Sequence, residues 1–412
     1  MVFRSHSWKR VLLVLIVAQF ASTVHIVCEE SSHCDIYETR TNADFFVHQY
    51  IPTNVDTVYY RNLALEFVNS AFFITIPPHV TKVHILQSKQ LKWVQVPGQR
   101  NITHMNIAYT GLRRFDVGKN SAIAELLVAD SNLLKVSSSM SNLRTTVRIE
   151  HSNCLVQVLD MGVFCDLNKL EHLNFFGNRI KHLQNSATNA CSAYGSLKTI
   201  ILSRNLLKTL NMGMFAPFRV LDCLTANENR VETVLGSYTT YADLQLILAK
   251  NKIKSIHLCD WNVPRMRWLE LQYNNLTTVP NCLEKLSNVT DFKLAYNQIS
   301  NATIESFARM DSLIYLDLSY NRMTSFILNT TRYPPNLRTL WIAGNNLTEL
   351  DLTAVPVRAL EVQAQENFIG SMEVERISPN VITLCMSQNP IDCSWTTLQE
   401  RLNLTCVTNG NV

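Results

Sequence analysis

The sequence predicts an α/β solenoid, a horseshoe with a concave parallel β-sheet, an irregular or short-helical convex side and cysteine-bearing caps. Three observations carry this expectation. Asparagine recurs at Asn178, Asn205, Asn229, Asn251, Asn274, Asn297, Asn321, Asn345, Asn367 and Asn389, in steps of 22 to 27 residues. Each sits in one frame, apolar-x-x-apolar-x-apolar-x-x-Asn-x-apolar, clearest in Leu313 to Met323 and Leu337 to Leu347. Cysteines flank the array at both ends, at Cys28 and Cys34 and again at Cys393 and Cys406. A period of this length marks a stack of repeats, because one repeat cannot bury its own apolar face.

The chain opens with Arg4, Lys9 and Arg10, then the apolar run Val11 to Ala21, then Ser22 and Thr23. This is the layout of a secretory leader, expected to span 1–27, with cleavage between Ala21 and Cys28. The run is too short to span a bilayer, and no other segment is apolar enough. The C-terminus carries no hydrophobic tail, so the expected product is soluble, secreted and extracellular. The net charge of +4 falls to +1 once the leader's three cations are subtracted, since the leader holds no acid. No Lys/Arg cluster remains, which argues against nucleic-acid partners.

Residues 28–79 are expected to form an N-terminal cap and a degenerate first repeat, 80–392 the array, and 393–412 a C-terminal cap. Counted from its first apolar residue, each repeat has alternating positions three to six, which is strand periodicity. Leu316 and Leu318 should point inward, and Tyr315 and Asp317 outward. The Asn at position nine should satisfy backbone groups of the turn and of the next repeat. Upstream the frame continues with shorter polar residues. Ile102–Leu112 uses Thr110, Ile123–Leu133 uses Ser131, and Val147, Ile149, Ser152, Cys154 fit with Ser152 at position nine and Cys154 at apolar position eleven. Such turns should be looser. Val80, Val83, Ile85, Ser88 is a weaker copy. Thirteen repeats from Ile102, at about 4.8 Å per strand, would give a sheet on the order of 60 Å long.

Eleven cysteines suit an oxidising compartment. Cys165 and Cys191 both count as position twenty-two of adjacent repeats, and Cys259 and Cys282 both as seventeen, within disulfide reach across one strand spacing. Cys28 with Cys34 could close the N-terminal cap, and Cys393 with Cys406 the other. Cys154 is expected to be buried and inert. Cys223 and Cys385 should face the concave side, where a thiol could link two chains or stay inert, so a disulfide-linked or non-covalent oligomer stays open. Seven N-x-Ser/Thr sequons, at Asn101, Asn275, Asn288, Asn301, Asn329, Asn346 and Asn403, point to a glycoprotein.

No phosphate loop, His-Glu-x-x-His or Gly-x-Ser-x-Gly motif occurs. The His25, Cys28, His33, Cys34 group could hold a metal, but secretion favours a disulfide. No catalytic, metal or cofactor residue is assigned, and a binding surface is expected instead of an enzyme. Concave positions two, three, five, seven and eight gather Trp268, Glu270, Tyr273, Asp291, Lys293, Tyr296, Tyr315, Asp317, Tyr320 and Trp341. Aromatics among charges are the composition of protein-binding hot spots. Tyr273, Tyr296 and Tyr320 could equally lean on the asparagine turns, whereas Trp268, Tyr315 and Trp341 should project from the sheet.

The asparagine frame is the leucine-rich repeat signature. It resembles the extracellular leucine-rich proteins of animals, including Toll-type ectodomains and insect adhesion proteins. The stretch Asn389-Pro-Ile-Asp-Cys393-Ser-Trp395 resembles the start of their Cys-flanked C-terminal cap. Leader, Cys-bearing N-terminus and about a dozen repeats also look like the mosquito leucine-rich immune proteins. Many of those add a coiled coil, which this chain lacks, so the likeness is to a coil-less type. The resemblance implies a secreted protein that binds another protein or a pathogen surface in innate immunity. The alternative is an extracellular-matrix, adhesion or receptor-associated module in development.

Overall fold

Apolar alternation along each repeat becomes a parallel ladder with matched register. The computed structural model describes residues 10–11, 24–29, 32–187, 191–391 and 403–405. The chain divides into two units, residues 1–206 and 207–412.

In the first unit a two-residue strand, Arg10–Val11, pairs antiparallel with the first arm of a hairpin, His25–Glu29 against His33–Tyr37, which the Cys28–Cys34 disulfide staples with an S–S length of 2.02 Å. Parallel strands follow at Thr57–Arg61, Lys82–Leu86, His104–Ala108, Glu125–Ala129, Arg148–Ser152, His172–Asn174 and Thr199–Ile201. The ladder therefore reaches upstream of residue 80. Val83 and Ile85 lie in full register with Met105 and Ile107 and are completely buried. The hairpin also takes in His25 to Val27, residues the sequence assigns to the leader.

The second unit ladders Cys223–Thr225, Gln245–Ile247, Trp268–Glu270, Asp291–Lys293, Tyr315–Asp317, Thr339–Trp341, Leu360–Gln363, Val381–Cys385 and Asn403–Thr405, all parallel. Leu269, Phe292, Leu316 and Leu340 are register partners and fully buried, so one inward row runs through four repeats. The return side of a repeat this short has no room for a long helix. It carries single 3-10 turns such as Leu283–Leu286, Ile304–Phe307 and Val374–Arg376.

The asparagines work as backbone clamps. The Asn321 amide donates to the carbonyls of Leu318 at 2.9 Å, Ser319 at 3.2 Å and Leu294 at 3.0 Å, and its Oδ1 accepts from Ile299 N–H at 3.0 Å. Asn205, Asn274, Asn297 and Asn345 repeat the pattern. The cross-repeat partner belongs to the preceding repeat, not the next as the sequence suggested. The strand of that repeat has ended by position six, so its carbonyl there and its N–H at position eleven need a partner.

One repeat is framed differently from the sequence reading. Ile149 pairs with Leu173, which makes it position four. Position nine is then Cys154, not Ser152. The Cys154 thiol takes over part of the asparagine's role, donating to Ser152 O at 3.4 Å and Val128 O at 3.7 Å. The thiol is buried, and burial pushes it up to about 11. Position six, which should be apolar, is His151. The slip arises because a histidine stands where the frame requires a hydrophobe.

The same slip removes the matched positions on which the Cys165–Cys191 disulfide was expected. Cys165 moves to position twenty, two short of Cys191, and both stand as thiols. The Cys191 sulfur lies 3.6 Å from the Cys165 carbonyl, and burial, and then the neighbouring Cys165 thiol, raises Cys191 to about 12. Cys259 and Cys282, in correctly framed repeats, form a disulfide of 2.00 Å. Cys393 and Cys406 lie outside the described residues. Peptide mapping without reductant is expected to recover the 28–34 and 259–282 linkages and to find Cys165 and Cys191 alkylated. Alkylation of Cys259 and Cys282 instead would contradict the assignment.

Candidate protein-binding face

The strands of the second unit place the outward residues in two rows. Trp268, Asp291, Tyr315 and Thr339 are register partners, and so are Glu270, Lys293, Asp317 and Trp341. Trp268 and Trp341 are 36% and 40% exposed, which leaves each indole with a free face. Tyr315 is half-buried and meets the Trp341 ring edge-on at 5.4 Å and 69°. The face is thus an aromatic wall fixed by strand geometry.

Its charges are largely spent within the face. Lys293 Nζ lies 2.5 Å from Glu270 Oε1, and Gln272 donates to the other oxygen of Glu270 at 3.0 Å. Asp317 differs from the sequence reading. It is only 8% exposed and accepts the Ser319 N–H at 3.0 Å, turning down into the turn instead of out toward a partner. Burial raises its carboxyl above the ordinary value, partly opposed by that N–H. Burial, and then the neighbouring Asp317, pushes the Tyr315 phenol well above its usual range. Asp317 therefore orients Tyr315 and is not itself offered to a ligand.

Tyr273, Tyr296 and Tyr320 sit beyond the strand ends, at position eight, with left-handed φ of 58°, 54° and 53°. A bulky side chain in that region costs roughly 1 kcal/mol. The rings offset this by stacking, Tyr273 on Tyr296 at 4.2 Å and 7°, Tyr296 on Tyr320 at 4.3 Å and 10°. They form a column along the rim of the sheet, 45%, 40% and 36% exposed. Desolvation within the column, and then the adjacent hydroxyls, raises Tyr296 to about 12.

The sequence reading missed two residues that close this column. Gly344, with φ of 64°, leaves room for Tyr320, since a Cβ there would meet the ring at 2.4 Å. Glu366 accepts the Tyr320 hydroxyl at 3.1 Å. Both occupy position eight of the next two repeats, a signal available in the frame.

The sequons sit away from the aromatic wall. Asn101, Asn288, Asn301, Asn329 and Asn346 are exposed and Asn275 is half-buried, none of them in a ladder strand. Asn403 begins the strand Asn403–Thr405. Cys223 and Cys385 are half-buried in ladder strands. Among the described residues no group of three or more His, Cys, Asp or Glu could hold a metal ion. Nor, among them, is any helix long and apolar enough to cross a membrane.

The leucine-rich repeat family profile matches residues 287–347, which hold Tyr315 and Trp341. The fold is a leucine-rich repeat solenoid. The chain is 24% identical over 260 residues to mouse podocan, covering 61% of this chain and 38% of podocan, so it spans well under half of that relative. It is 21% identical over 304 residues to human lumican, covering 72% of this chain and 81% of lumican. Among solved structures, the leucine-rich repeat protein is similar to one in the LRIM1/APL1C complex, with a TM-score of 0.62 and 16% identity over 87% of this chain and 62% of that one. It is also similar to one in the Drosophila Toll–Spatzle complex, with a TM-score of 0.52 and 14% identity over 98% and 72%. At these identities the structural likeness speaks to fold alone.

Proposed function

We propose that this leucine-rich repeat protein is secreted and binds another protein, or a pathogen surface component, through the aromatic wall of its second unit, in innate immune recognition. The observation that carries the reading is the wall itself. Tyr315 and Trp341 sit on adjacent strands with Trp268 two strands before Tyr315, all three are part-open to solvent, and Lys293 and Glu270 beside them are already paired. Fixed aromatics lose little rotamer freedom on binding, and internally paired charges add little desolvation cost. The six sequons outside the strands would place glycans on turns and the outer side, leaving the wall uncovered. The Cys28–Cys34 and Cys259–Cys282 disulfides suit an oxidising compartment. Leader cleavage before Val24 would keep the hairpin whole.

The immune role rests on the likeness to mosquito leucine-rich immune proteins. Similarity to podocan and lumican favours the second reading, a matrix or adhesion module. Induction of the transcript by infection would favour the first, and tissue-restricted embryonic expression the second.

Trp341→Ala or Trp268→Ala is expected to weaken binding to a partner recovered from body fluid by about 2 kcal/mol or more, with secretion unchanged. Asn275→Gln and Asn346→Gln are expected to lower yield but spare binding. Loss of the partner in the glycan variants with retention in the Trp variants would place the interface elsewhere.

A further inference from the structure

The first unit carries an outward surface that the function above does not use. Its strands bring His33, Thr57, Lys82 and His104 into one row and Asp35, Tyr59, His84 and Asn106 into the next, with Tyr37 and Arg61 beside them. The His84 imidazole stacks on Tyr59 at 4.3 Å and 21°, and His33 meets the same phenol edge-on at 5.0 Å. The Arg61 guanidinium lies over the Tyr59 ring at 5.4 Å. Three imidazoles and two fixed cations therefore surround one aromatic platform.

The acids nearby are already engaged, Asp35 beside Tyr59 in the same row and Asp56 and Glu125 further out. Asp35 pairs with Arg61 at 2.5 Å and His33 at 3.3 Å, Asp56 with Lys82 at 3.1 Å, and Glu125 stands 3.9 Å from His104. The charged groups that act on His84 are all basic: His104, Lys82, Arg61 and His33. Their field adds to burial, which is the larger cause, and together they hold His84 down to about 4. A neutral imidazole among cations is a place that lacks an anion.

The hydrogen bonding points the same way. His84 Nδ1 is shut in without a partner, and so is Oδ1 of Asn106, its register partner on the next strand. The two atoms do not bond to each other, and Nε2 is the ring nitrogen of His84 that is not shut in, so it is the one that can face a ligand and take up a proton.

We propose that this face is a second binding site, which receives a carboxylate of an acidic protein segment on His84 and takes up a proton as it does so. An extended peptide fits better than a sulfated glycan. The platform is built of rings and imidazoles on flat parallel strands, and only two fixed cations stand on it. The carboxylate would accept from His84 Nε2–H, with Lys82 and His104 on one side and Arg61 on the other.

The expected size of the effect follows from linkage. If the bound anion returns His84 to the ordinary histidine value of about 6.5, affinity rises about tenfold between pH 7.4 and 5.5, because the free protein stays unprotonated at His84 across that range. Calorimetric titration of the full secreted chain with an octa-aspartate peptide is expected to give that tenfold gain, with proton uptake seen as a buffer-dependent heat. In His84→Gln the gain should fall to about twofold or less, while Trp341→Ala should leave it intact. Because a variant can fail to fold, the His84 ring in the wild-type protein should also be followed by NMR, where its titration midpoint should move upward by one unit or more when the peptide is added. No binding at pH 5.5, a full pH dependence in folded His84→Gln, or an unmoved His84 midpoint would each overturn the proposal. So would a sulfated oligosaccharide that binds this face where octa-aspartate does not.

Discussion

Asn321→Ala is expected to destabilise the second unit by about 3 kcal/mol or more. The side chain serves three carbonyls and one N–H from two successive repeats, and it is only 7% exposed. Alanine leaves those backbone groups without partners, at about 1–3 kcal/mol for each one that water cannot reach. The loss should propagate, because repeats support one another mainly through nearest neighbours. Urea titration followed by the fluorescence of the tryptophans should show the midpoint fall. Arg322→Ala, one residue on and exposed, should stay within about 0.5 kcal/mol of wild type. Equal effects from the two substitutions would mean that the asparagine ladder is not what holds the repeats.

His151→Leu is expected to do the opposite, stabilising the first unit by about 1–3 kcal/mol at neutral pH. The ring is completely buried, meets Phe175 edge-on at 5.3 Å, and has no partner for either nitrogen. Leucine restores the residue type that position six calls for. The substitution should also change the response to acid. Burial holds His151 down to about 4, below the unfolded value of about 6.5. The unfolded chain therefore binds the proton first, and stability falls as pH drops from about 6.5 toward 4. The total loss for such a group is about 3 kcal/mol, at 1.36 kcal/mol per unit. His48 is lowered in the same way to about 4, so some acid sensitivity should remain in the variant. Thermal unfolding from pH 7.4 to 4.5 should show a shallower decline for His151→Leu than for wild type. An unchanged slope would show that water or a rearrangement already serves the ring.

Where the frame is intact, the sequence is a good guide to the fold. Leu269, Phe292, Leu316 and Leu340 are inward because the two-residue alternation leaves no other choice. Trp268 and Trp341 are outward for the same reason. The reading failed where a residue of the wrong polarity held a framed position. His151 at position six shifted its repeat by two, which misplaced Cys154 and brought Cys165 into false register with Cys191. Thr57–Arg61 lies in the segment given to a degenerate first repeat, but its frame could not be read because Leu63 and not an asparagine holds position nine. Ser88 performs the equivalent turn one repeat later, accepting Leu63 N–H at 3.0 Å and donating to Leu86 O at 2.9 Å.

The candidate face was legible to the level of direction and no further. Periodicity says which way a side chain leaves the strand, not whether it then turns back. Asp317 turns back because the N–H of Ser319, two residues on, is within its reach. The tyrosine column depends on a left-handed φ at position eight, which no apolar pattern reports. Its end at Tyr320 depends on a glycine in the following repeat.

Hydroxyl-radical footprinting of the chain with and without its partner tests the central claim most directly. It reads side-chain accessibility at Trp268, Tyr315 and Trp341 in a single protein without mutation. The expected result is strong protection of all three on binding, with unchanged oxidation at Phe368 and Tyr241, which are 60% and 64% exposed and lie outside the wall. Unchanged oxidation of Trp268, Tyr315 and Trp341 in the saturated complex would contradict a partner seated on this face.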